Sequence, residues 1–220
     1  EAARAAGATL THISAIGADT QSASSYARTK GRAEIAILET APEAVILRPS
    51  IIFGPEDDFF NKFASMARFA PALPLIGGGQ TKFQPVYVTD VAEAVARTVD
   101  GKLKGGTIYE LGGAQVLSFR ECLEITLKTI DRKRSFVSIP FGIASLLGSV
   151  ASLVPFIAPP ITADQVVLLK SDNVVSAAAE AEGRTLAGIG IEPTLLDSIL
   201  PTYLVRFRPQ GQYTRGGGAA

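Results

Sequence analysis

The chain has one cysteine, Cys122, and one histidine, His12, in 220 residues. A lone cysteine excludes a disulfide framework and suits a reducing compartment. With one thiol and one imidazole, no transition-metal site is expected, and Cys122 reads as a small buried helix residue. Charge of one sign is also missing. Twenty-one basic residues balance twenty-one acidic ones, so nothing draws the chain to nucleic acid. No signal peptide is expected in residues 1–7, whose alanine-rich run reads as the end of a helix closed by Gly7. No glycine-rich phosphate turn of the G-x-G-x-x-G type is present. Gly77-Gly78-Gly79 falls in a loop, Gly188 and Gly190 lie late in the chain, and Gly216-Gly217-Gly218 belongs to a basic, glycine-rich tail expected to be disordered. A membrane-spanning run is missing as well. Residues 136–163 carry no charge, but Pro140, Pro155, Pro159 and Pro160 leave only 141–154 for a helix, short of the roughly 20 residues a span needs.

What is present suits a folded α/β chain. Hydrophobic residues make up 47% and charged residues 19%, enough for a core with apolar surface to spare for a contact. The length allows one domain, or one and a small second. Residues 8–14 and 44–48 read as continuous apolar strands of a parallel sheet covered on both faces. Between them, 25–41 reads as a helix capped by a serine at 22, 24 or 25, with Ile35, Leu38 and Ala41 as its core stripe and Pro42 as its stop. Further on, 59–69 is expected as a helix whose Phe59, Phe60, Phe63 and Met66 serve the core. Residues 71–80 are expected as a loop, 82–88 as a strand, and the following helix is expected to be capped by Thr89 or Asp90. The sequence predicts strands at 107–111 and 136–139, a helix opened by the capping box Ser118-Phe119-Arg120-Glu121, and short helices from Thr162 or Asp164, over 177–186, and from Thr194 to 205.

One pentapeptide carries chemistry. Tyr26 and Lys30 are four apart on the predicted helix, so they share a face. An ammonium beside a phenol is expected to lower the phenol's pKa and make it a usable acid–base group for a carbonyl or hydroxyl during hydride transfer. Taken alone, the pair equally suits an aromatic packed beside a solvated lysine. Its surroundings favour chemistry: Ser14 ends the strand before it, and the strand after it runs out at Arg48-Pro49.

A hydroxyl, a Tyr/Lys helix and a strand ending in proline resemble the second half of an extended or atypical short-chain dehydrogenase/reductase. Within that superfamily, Ser24-Ser25-Tyr26-Ala27-Arg28-Thr29-Lys30, Ile52-Phe53-Gly54-Pro55-Glu56-Asp57 and Gln84-Pro85-Val86-Tyr87-Val88-Thr89-Asp90-Val91 resemble the nucleotide-binding accessory subunits of respiratory complex I, in their bacterial form. The resemblance implies the C-terminal part of a Rossmann-like, doubly wound parallel sheet plus a smaller α-rich substrate or docking domain. The expected divisions are 1–112 for the nucleotide domain, 113–206 for the small domain and 207–220 for a flexible tail. It also implies that the leading half of the nucleotide domain, roughly a hundred residues with the glycine-rich turn, precedes Glu1.

The implied roles follow. Tyr26 is the general acid–base, Lys30 holds the nicotinamide ribose, and Ser14 sits by the substrate carbonyl, less firmly because the loop to Tyr26 is short. Ser14, Tyr26 and Lys30, with the backbone of Pro49, Ser50, Ile51 and Ile52, would line NADP(H) or NAD. Two functions are open: an accessory subunit supporting complex I assembly, and a free NAD(P)-dependent oxidoreductase, epimerase or dehydratase. The first implies other complex I subunits as partners. It also implies peripheral contact through 141–160 on the cytoplasmic face of the inner membrane, with a packed helix or protein contact favoured over lipid.

Overall fold

The computed structural model describes residues 2–151 and 161–210. A short α1 (Ala2–Ala5) leads to β1 (Thr11–Ile13), α2 (Ser25–Thr40) and β2 (Val45–Pro49). Then come β3 (Ile52–Phe53), α3 (Phe59–Phe69), β4 (Ala72–Ile76), β5 (Lys82–Phe83), β6 (Val86–Tyr87), α4 (Val88–Val99) and β7 (Ile108–Leu111). The remaining elements are β8 (Leu117–Ser118), α5 (Phe119–Thr129), β9 (Ser135–Ile139), α6 (Phe141–Ala151), α7 (Ala163–Leu168), α8 (Ala177–Ala181) and α9 (Leu196–Leu204).

The organising sheet is parallel, in the order β1-β2-β7, with Ile13 beside Leu47 and Arg48 beside Glu110. Its two faces differ. Val45, Leu47, Tyr109 and Leu111 point to one face and join Val91 and Ala94 of α4 in a buried cluster with Leu186 and Ile191. Arg48 and Glu110 point to the other, where α2 lies. Strands with both faces covered read as apolar runs, and the charged Arg48 inside such a run already marks a special position.

α2 packs by small residues, not by the expected stripe. Its buried positions are Ala27, Gly31 and Glu34, while Ile35 is 50% exposed. The reason is the turn at Asp19 and Thr20, whose backbone lies against the helix: a Cβ at Gly31 would come within 2.8 Å of Asp19 C and Thr20 N. Close approach of a loop selects glycine over a larger apolar residue.

A second core holds the phenylalanines. Phe59, Phe60, Phe63, Phe83 and Phe119 meet edge-on or tilted, with ring centroids 5.0–6.3 Å apart, beside Leu196, Leu200, Tyr203 and Leu204 of α9. This aromatic group is core, as the sequence suggested. Three local expectations change. Residues 72–76, expected as loop, form β4, because 135–139 offers a parallel partner for all five residues. Asp90 and Thr194 do not cap their own helices; they pair with each other, Asp90 accepting from Thr194 N and Oγ1 at 2.8 Å each. The chain beyond Arg206 stays ordered for a few residues. Phe207 is buried and Arg208 Nε donates to Thr129 O at 3.0 Å; the rest of the expected tail, 211–220, lies outside the described residues, as do 152–160 of the apolar stretch.

Candidate functional site around Tyr26 and Lys30

Tyr26 and Lys30 sit in the first two turns of α2. The helix starts where the sequence placed it: Ser24 is the N-cap, its Oγ accepting from Ala27 N at 3.3 Å. A distant residue completes the cap. Asp164, on α7, accepts from Ser25 N at 2.7 Å, Tyr26 N at 3.2 Å and Ser24 Oγ at 2.9 Å. Burial alone would raise its pKa, but the hydrogen bonds from Ser25, Ser24 and Tyr26 and the charge of Arg28 outweigh that and hold it below its ordinary value. A carboxylate at a helix N-terminus also meets the favourable end of the dipole.

Lys30 Nζ lies 5.8 Å from the Tyr26 ring centroid and donates to Ile13 O at 3.0 Å. The pair therefore shares a face, and the lysine is moored to the end of β1. The expected pKa effect is corrected: burial raises the Tyr26 phenol above its ordinary value. The ammonium lies near the ring plane's face and bonds a carbonyl, so it does not offset the lost hydration of a half-covered phenol. Tyr26 remains 46% exposed, open to a ligand.

Ser14 follows directly on β1. Its backbone N donates to Leu47 O at 2.7 Å, yet its Oγ is buried with no hydrogen-bond partner among the described residues. An orphaned buried hydroxyl is rare and asks for an explanation. Here Ser14, Lys30 and the open phenol lie at the carboxyl end of the sheet, the end where α/β folds take ligands. These residues fit the ribose and nicotinamide part of a dinucleotide: a hydroxyl seeking a partner, a cation for sugar hydroxyls, and an aromatic acid–base group.

Pro49, Ser50, Ile51 and Ile52 continue from β2 at the same end. Their backbone polar groups are mostly engaged: Pro49 O accepts from Ile16 N, Ser50 N donates to Leu111 O, and Ile51 O accepts from Val86 N, each at 3.0 Å. The Ser50 hydroxyl lies 2.9 Å from Asn173 O and 2.7 Å from Asn173 Oδ1. Asn173 Nδ2 in turn donates to Ile16 O at 3.1 Å. Asn173 thus ties together the two loops that leave β1 and β2. Nothing in its sequence neighbourhood announced that role, and nothing announced Asp164 as the clamp on α2. Two clefts among the described residues, of about 710 and 730 Å³, lie along residues 102–109 with 182–189 and around Gly112, Gly113 and 183–195. Neither includes Tyr26 or Lys30; side-chain geometry marks this site.

Beneath the pair runs a charged row. Arg48 Nε and Nη2 donate to the two carboxylate oxygens of Glu34 at 2.8 and 2.5 Å, and Arg48 Nη1 lies 3.7 Å from Glu110 Oε1. Glu110 Oε2 accepts from Ser176 N at 2.7 Å, ahead of α8. His12 is held below its ordinary pKa by burial and by Lys30, partly countered by Glu34.

Residues 16–101 match the family model described as the 3-beta hydroxysteroid dehydrogenase/isomerase family. Over that segment, and in its fold, the chain is similar to the extended short-chain dehydrogenase/reductases. The solved dTDP-glucose 4,6-dehydratase DesIV from Streptomyces venezuelae, with NAD and TYD bound, superposes with a TM-score of 0.62 at 19% identity, over 93% of this chain and 61% of that one. More specifically, the chain is homologous to subunits of respiratory complex I. It is 40% identical over 173 residues to the Arabidopsis thaliana NADH dehydrogenase [ubiquinone] 1 alpha subcomplex subunit 9, mitochondrial, covering 74% of this chain and 43% of the relative. It is 28% identical over 202 residues to the NADH-ubiquinone oxidoreductase 40 kDa subunit of Neurospora crassa, covering 92% and 52%. The chain thus spans about half the length of the curated relatives it matches.

Proposed function

We propose that this chain is part of a nicotinamide dinucleotide-binding accessory subunit of complex I, which supports assembly and stability and does not carry electrons. The observation that bears most weight is the joint placement of Lys30 on the end of β1, the open Tyr26 phenol, and the buried, partnerless Ser14 hydroxyl, in a chain homologous to complex I subunits. In this reading Lys30 holds the ribose hydroxyls, Ser14 and Tyr26 meet the nicotinamide end, and residues 49–52 supply apolar surface. When bound, the dinucleotide would supply hydride chemistry; the chain's own residues would orient it and offer a proton at the Tyr26 hydroxyl. Both NADP(H) and NAD suit these residues, because the part of the cofactor that distinguishes them is not touched here.

Partners and location belong to the same reading. α6 exposes Ile143, Leu146 and Leu147, and no helix among the described residues is long and apolar enough to cross a membrane. This face would serve as a peripheral contact beside the membrane arm, on the cytoplasmic face of the inner membrane. A free oxidoreductase or epimerase is the second reading, favoured by the intact Tyr26/Lys30 pair. Tyr26→Phe separates the two. The subunit carrying it is expected to assemble and to sustain NADH–quinone electron transfer at the wild-type rate. Loss of that activity in an intact complex, or useful turnover of a ketone or nucleotide sugar by the purified protein, would overturn the accessory reading.

A further inference from the structure

Lys30 and Glu34 stand one turn apart on α2, the spacing at which a lysine and a glutamate ordinarily pair. They do not pair here. Both Glu34 oxygens are taken by the Arg48 fork at 2.8 and 2.5 Å, and Glu34 is buried against β2. Among the described residues, Lys30 donates to an uncharged carbonyl, Ile13 O. We infer that Arg48 is a positioning residue for the cofactor site: by holding Glu34 down on the sheet, it keeps the Lys30 ammonium free of a counter-carboxylate and available to a dinucleotide. This deepens, and rests on, the dinucleotide-binding reading above.

The geometry explains why arginine stands at this position. Its planar fork engages both oxygens of Glu34 while the third nitrogen reaches Glu110 on the neighbouring strand; a lysine, with one point of charge, cannot serve both carboxylates in those directions. Glu110 is itself anchored by Ser176 N. The row thus fixes α2 laterally on the sheet, while Asp164 fixes its N-terminus. Without Arg48, the cation one turn before Glu34 on its own helix is Lys30.

The test uses the intact subunit that carries this chain, and two readouts. The first needs no ligand: the acetylation of Lys30 by a limiting amine-reactive reagent, mapped by mass spectrometry. In Arg48→Gln, labelling of Lys30 is expected to fall about threefold or more as Glu34 turns to it. In Arg48→Gln/Glu34→Gln it is expected to return to within about twofold of wild type. Should Arg48→Gln fail to fold, Arg48→Lys with and without Glu34→Gln provides the same comparison. The second readout is NADPH binding by fluorescence, expected to weaken and recover in the same order. A purely structural role for Arg48 predicts no rescue on removing the charge of Glu34, and unchanged Lys30 labelling in the single variant would overturn the inference. If the intact subunit that carries this chain binds neither NADPH nor NADH, the dinucleotide reading fails, while the labelling still decides the role of Arg48.

Discussion

A buried hydroxyl without a partner is an expense the fold does not need. Leaving such a group unsatisfied costs about 1–3 kcal/mol, and Ser14 Oγ is in that position. Ser14→Ala is therefore expected to leave the free chain as stable as wild type or more so, by up to about 1 kcal/mol in urea unfolding. Dinucleotide binding, in contrast, is expected to weaken. A clear loss of stability would mean that Ser14 is bonded within the protein and is not waiting for a ligand. Among the described residues His12 Nε2 is likewise buried without a partner, while other polar groups of the core are satisfied. Tyr203 donates to Asp57 Oδ2 at 2.6 Å, and burial pushes the Cys122 thiol up to about 12, which fits the inert buried cysteine read from sequence. Ser14, Tyr26 and Lys30 were legible because the chemistry of each residue and a short spacing carry the signal. Asn173 and Asp164 were not, since each acts across more than a hundred residues on a backbone group that any sequence would present, Asn173 Nδ2 on Ile16 O and Asp164 on Ser25 N.

At the scale of the element, α2 shows what periodicity conveys and what it hides. Its limits came from a serine cap and a proline stop, both local. Its buried stripe was misread, because Gly31 and Glu34 do not look like core positions until the turn at Asp19 and the guanidinium of Arg48 are in place. The same holds for β4, whose strand character comes from β9 sixty residues later. The start of α2 also carries a pH dependence of definite sign. The folded-state pKa of Asp164 lies below its ordinary value of 3.8, so its contribution is present above that value and is lost as pH falls through the folded one. Asp164→Ala is expected to cost about 1 kcal/mol near neutrality. The gap between wild type and variant in thermal melts should then narrow below about pH 4. A gap that stays constant down to pH 3 would show that the carboxylate charge plays no part in the clamp.

For the molecule as a whole, the sheet has one protected edge and one bare one. β7 is covered: Glu110 N donates to Arg184 O at 2.9 Å, and Arg184 Nη1 donates back to Ile108 O at 2.5 Å. β1 pairs only with β2, and among the described residues no strand lies on its outer side. The side chain of Ile13, on that edge strand, is exposed. Unpaired backbone donors and acceptors next to apolar side chains form a template for another strand. The 220-residue chain on its own is therefore expected to self-associate reversibly, its weight-average mass in sedimentation equilibrium rising across the micromolar range. Ile13→Lys, which places a charge on the edge without touching the Ser14 or Lys30 bonds made by neighbouring atoms, should keep it monomeric. If the variant associates as strongly as wild type, the edge is not the adhesive surface, and the exposed face of α6, with Leu146 at 65% exposure, becomes the one to change next.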